Sequence, residues 1–138
     1  MVEDRTTDGK RIAQLLSSEL SGREDSGLAA LEVVNADPDA TGSTDGELAY
    51  EIARTGDSGT EDGDGEMLAD VYLHEDRVRI EFRAAVDAAA EAAEDVGLRI
   101  RPKAAEPPRT LAFVEDGAQV KRATDAFERV LQVLDDAR

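Results

Sequence analysis

Seven cations stand at spacings that give them common surfaces. Arg77, Arg79 and Arg83 lie two and four residues apart in RVRIEFR, and Arg99, Arg101 and Lys103 alternate in LRIRPKA, with Arg109 further on. On an extended chain, residues two apart share a face, so each set forms a row. Guanidinium forks recognise carboxylates and phosphates through paired hydrogen bonds. Residues 96–109 carry four cations against Glu106 alone, in a chain whose formal net charge is −16. Two readings follow. In one, the rows form a docking surface for an acidic partner, whether protein, nucleotide or nucleic acid. In the other, they neutralise Glu47, Glu51 and Glu81 on neighbouring strands, each pair contributing about 0.2–1 kcal/mol.

Other chemistry finds little support. Cysteine is absent, which removes disulfides, thiol nucleophiles and zinc sites of the Cys type. His74 is the only imidazole and falls in HED, a predicted turn, with no second histidine at metal-ligand spacing. No serine lies in G-x-S-x-G, and neither glycine-rich phosphate loop occurs. Two acidic loops, Asp37–Glu47 and Gly56–Glu66, invite a calcium reading and fail the EF-hand pattern. Counting from Asp62, Met67 replaces the required glycine; counting from Asp37, Leu48 replaces the closing glutamate. Solvated acidic loops that hold cations only weakly are the simpler account. An enzyme would have to run on carboxylates, Arg and Tyr alone, so a non-enzymatic protein without metal or cofactor is expected.

The charge has a habitat reading. Asp (17) and Glu (15) stand against thirteen Arg and three Lys. Dense carboxylates repel one another in dilute buffer, and molar salt, with a Debye length of about 3 Å at 1 M, screens them. A halophilic protein is therefore expected. Phosphate-driven nucleic-acid binding weakens steeply with salt, so a protein partner or homodimer is favoured over nucleic acid. The opening MVEDRTTDGKR has no apolar run of signal length, and nowhere do about 18 consecutive apolar residues occur. A soluble cytoplasmic protein without a membrane partner is expected.

A single domain over residues 1–138 must position these groups. It has five aromatic residues and no Trp, so its core is aliphatic and alanine-rich. Ile12, Leu15, Leu16 and Leu20 predict a first helix over 7–21, capped by Thr7 or Asp8 and stopped by Gly22. Strands are predicted over 28–35, 47–54, 67–74 and 77–83. Leu48, Tyr50 and Ile52 share one side of the second, and Val78, Ile80 and Phe82 one side of the fourth. AAVDAAAEAAEDVG predicts a helix ending at Gly97. LRIRPKA is a strand that Pro102 places at an edge, and TLAFVE, residues 110–115, is another. Asp116 and Gln119 suggest a weak capping box for a last helix with Val120, Ala123, Phe127, Val130, Leu131 and Leu134 on one face. The order α-β-β-β-β-α-β-β-α predicts an α+β fold, with a mainly antiparallel sheet of five or six strands and three helices mostly on one face. A related order occurs in small chaperones of the type-III-secretion kind, a likeness of fold that implies no function.

Three stretches, EDRTTDGKRIAQLL (3–16), LHEDRVRIEF (73–82) and LRIRPKA (98–104), in this acidic setting resemble a group of small uncharacterised haloarchaeal proteins. The resemblance spans nearly the whole chain and implies the habitat and single domain, with no activity and no site residue.

Overall fold

The strongest alternation in the chain, Val78-Arg79-Ile80-Glu81-Phe82, lies at the middle of the sheet. The computed structural model describes residues 8–22, 31–54, 66–103 and 108–136. Its elements are α1 (Gly9–Gly22), β1 (Leu31–Val34), β2 (Glu47–Arg54), β3 (Glu66–Leu73), β4 (Val78–Phe82), α2 (Val86–Asp95), β5 (Arg99–Lys103), β6 (Arg109–Val114), a 3-10 turn (Gly117–Gln119) and α3 (Val120–Asp136). Six strands form one sheet in the order β1-β2-β3-β4-β6-β5, every neighbouring pair antiparallel. The first four strands are sequential, and the His74–Arg77 turn between β3 and β4 is closed by the His74 N–H donating to the Arg77 carbonyl (2.9 Å). β5 runs parallel to β4, two places away, and α2 supplies the crossover that strands of like direction require. Pro102 sits on edge strand β5, as expected of a residue with no N–H to donate.

One sheet face is the core. Ile52, Val71, Leu73, Val78, Ile80, Phe82, Ala112 and Val114 meet Ile12, Leu16 and Leu20 of α1, Ala89 and Ala93 of α2, and Phe127 and Val130 of α3. The Phe82 and Phe127 rings lie 4.9 Å apart and tilted by 48°. Two hydrogen bonds dock helices onto the sheet: the Tyr50 hydroxyl donates to the Ala13 carbonyl (2.7 Å) and the Thr110 hydroxyl to the Val86 carbonyl (2.8 Å). All three helices therefore cover the same face. Burial pushes the Tyr50 phenol well above its ordinary value, so it stays a donor.

Several boundaries differ from the local reading. β1 begins at Leu31, residues 28–30 lying outside the described segments. In β2 the register shifts between Leu48 and Tyr50. The extra residue, Ala49, inverts the alternation, so Leu48 pairs with Tyr72 on the far face and is 38% exposed, while Tyr50 and Ile52 turn into the core. Asp8 caps α1, its Oδ1 accepting from the Lys10 N–H (3.0 Å). Gly97, at φ +86°, ends α2. Asp116 accepts from the Gln119 N–H (3.0 Å), but Gln119 answers to the Glu115 N–H (2.7 Å). The box is thus displaced by one residue, and α3 starts at Val120 behind a 3-10 turn.

Candidate functional site

The face opposite the helices carries both predicted cation rows. They do not adjoin: β6 lies between β4 and β5. Register nevertheless puts Arg79 beside Phe113 and Phe113 beside Arg99, Glu81 beside Leu111 and Leu111 beside Arg101, and Arg109 beside Lys103. Residues paired across an antiparallel sheet share a face, so Arg79, Arg99, Arg101, Lys103 and Arg109 all stand on the helix-free side. Arg77 lies in the turn before β4 and Arg83 just past its end.

Much of this charge is matched. Glu81, 1% exposed at the centre of the face, accepts from Arg79 Nε (2.9 Å) and Arg109 Nη1 (2.7 Å), with Lys103 Nζ at 3.6 Å. Asp70 takes Arg83 Nη1 at 3.0 Å and Arg109 Nη1 at 3.3 Å, and Arg83 also reaches Glu51 at 3.8 Å. Burial works against the Glu81 carboxylate, yet the Arg109 hydrogen bond and the charges of Arg79, Lys103 and Arg109 outweigh it and hold the carboxyl below the usual range. The same Glu81 bond, offset by partial burial and aided by Asp70, raises the Arg109 guanidinium. Glu51 and Glu81 thus serve as counterions. Glu47 does not: its Oε1 accepts from the Thr41 N–H (3.3 Å).

At the other end of the face the arginines lie over rings. The Arg79 guanidinium is 4.4 Å from the Tyr72 centroid, and that of Arg99 is 5.9 Å from the Phe113 centroid. Arg99 Nη1 reaches Glu115 (2.7 Å), Arg77 Nε reaches Asp76 (3.1 Å), and exposed Arg101 has no ion-pair partner among the described residues. His74 keeps its predicted turn position and has a use there. Its Nδ1 lies 3.1 Å from the Thr44 carbonyl and its Nε2 2.9 Å from Arg79 Nη1. A carbonyl only accepts, so Nδ1 carries the proton and Nε2 accepts from Arg79. Gly46, at φ +92°, makes room: a Cβ there would stand 3.0 Å from Arg79 Nη1 and 3.1 Å from His74 Nε2. Spacing revealed the rows; the roles of Gly46, His74 and Asp70 had no local signal.

The acidic loop over 37–47 spends carboxylates on its own backbone, Asp37 Oδ1 accepting from the Asp39 N–H (2.9 Å) beside the Glu47 bond to Thr41. Residues 56–65 of the other loop, and residues 104–107, which include the first proline of the Pro107-Pro108 pair, lie outside the described segments. Among the described residues no three His, Asp or Glu side chains are placed to hold a metal ion, and no helix is long and apolar enough to cross a membrane. The chain belongs to a family of unknown function, DUF7993, which it matches over residues 1–138. No curated protein and no solved structure matches it.

Proposed function

We propose that this DUF7993 member is a non-enzymatic interaction module of a high-salt cytoplasm, docking an acidic protein on the β4-β6-β5 half of its open sheet face. One observation carries the reading. Three adjacent strands carry Arg79, Arg99, Arg101, Lys103 and Arg109 with Glu81 as their one acid, and beyond the pairs with Glu81, Asp70 and Glu115 the exposed Arg101 keeps no ion-pair partner among the described residues, on a chain with formal net charge −16. A cationic island on an anionic body orients an acidic partner and repels most other acidic surfaces. Arginine, with its planar fork and weak hydration, tolerates the desolvation that docking imposes. The chemistry left to an enzyme is thin: the single imidazole has both nitrogens engaged, and there is no thiol.

The test is a tagged pull-down in about 2 M KCl, where the Debye length is a few Å at most and only close contacts survive. Wild type is compared with Arg99→Glu/Arg101→Glu, and retained material is identified by mass spectrometry and a nucleic-acid assay. The expected result is a stoichiometric acidic protein that the double variant loses. A partner kept equally by the variant, or an empty pull-down, overturns docking on this face. Recovery of nucleic acid instead would assign the rows to phosphate contacts, and recovery of a second copy of the chain to self-association.

A further inference from the structure

Between the rows the open face is hollow. β6 offers Leu111 and Phe113 where β4 and β5 on either side offer long arginines, so a trough forms with an apolar floor and guanidinium walls. Its volume is about 270 Å³, close to the lower end of the roughly 300–1,000 Å³ usual for small-molecule sites. Arg77 and Arg79 line one side and Arg99 and Arg101 the other, and no carboxylate lines it.

We infer that this trough is a binding site for a phosphate monoester carried on a compact ring, of the size of a nucleoside monophosphate or a pentose phosphate. The inference does not rest on protein docking, since it concerns a cavity that a small molecule fills alone. A guanidinium has five N–H donors. Arg79 directs three contacts to Glu81, Asp45 and His74, Arg99 directs one to Glu115, and Arg101 directs none to any described residue. Donors are therefore left for a dianion with three terminal oxygens, which guanidinium forks match best. The Phe113 and Leu111 floor favours an attached ring over bare phosphate, since a ring gains apolar contact and stacks against aromatic or guanidinium planes. The His74–Arg79 bond holds one wall upright, and Gly46 leaves the space for it. Arg101 is the cation that a ligand would satisfy.

Titration calorimetry on the full chain, in the lowest KCl at which circular dichroism shows it folded, tests the site with AMP, ribose 5-phosphate, inorganic phosphate and adenosine. At least one ester should saturate one site per chain, about tenfold or more tighter than inorganic phosphate, with no heat from adenosine. Loss of a charged hydrogen bond in Arg101→Ala should weaken the ester about tenfold or more. Arg129→Ala, which removes one half-buried cation paired with Asp95 on the helix side, should leave it within about twofold. AMP exceeding ribose 5-phosphate would place the base on Phe113; equal affinities would assign the site to phosphate and sugar. No saturation by either ester, inorganic phosphate or adenosine binding as tightly, or a folded Arg101→Ala binding as wild type overturns the inference. Docking fails separately: ester heat with an empty pull-down removes only the protein partner, and a retained partner without ester heat removes only the trough.

Discussion

Glu81 ties the two cation rows together, bonded to Arg79 of its own strand and Arg109 of β6 while Lys103 of β5 stands at 3.6 Å. Replacing the carboxylate by a neutral amide, Glu81→Gln, leaves its cations without their shared counterion. The expected cost at pH 7 is about 2 kcal/mol, within the range for hydrogen bonds to charged groups. The pH dependence follows from the lowered carboxyl. A depressed folded-state value contributes stability that is fully present above the unfolded value, about 4.3 for Glu, and is lost as pH falls through the folded one. Urea titrations from pH 7 to pH 3 should show wild type and Glu81→Gln converging below about pH 4.3. A constant gap over that range would deny Glu81 its electrostatic role. The cations were legible because period-two alternation is local. Their counterions were partly legible: Glu51 and Glu81 lie on strands and were readable as partners, whereas Asp70 reaches Arg83 and Arg109 only through sheet register.

The helices and strands differ in how far local pattern carries. α2 is almost all small residues on its inner side, and Ala89, Ala92 and Ala93 are fully buried, which lets the helix lie close to β6 and α3. Ala93→Leu should overpack that contact and cost about 1–3 kcal/mol, read as a lower thermal midpoint by circular dichroism. Exposed Glu91→Ala should stay within about 0.5 kcal/mol. An unchanged midpoint for Ala93→Leu would mean that α2 has slack against the sheet. The six strands and three helices were readable as elements because each carries its own periodicity. The position of Leu48 was not: a bulge is set by how β2 fits β3, and one extra residue reverses every side chain beyond it.

The net charge acts on the entire fold at once. With 32 acids against 16 bases, repulsion opposes compaction in dilute buffer, and screening relieves it as the Debye length falls from about 10 Å at 0.1 M to about 3 Å at 1 M. The melting temperature should therefore rise between about 0.1 and 2 M KCl, well beyond the first screening of surface pairs. Full circular dichroism and an unchanged midpoint in salt-free buffer would count against the high-salt reading. By itself the sequence determined composition, charge, element order, the aliphatic core and the same-side spacing of each arginine row, because these depend on residue type and on neighbours within a few positions. Tertiary structure decided that β6 separates β4 from β5, that both rows share the helix-free face, that Glu81 and Asp70 hold them, and that a trough opens over Phe113. Those depend on strand order and register between residues up to 39 positions apart, as Arg109 is from Asp70, and no local pattern encodes that β6 rather than β5 lies next to β4.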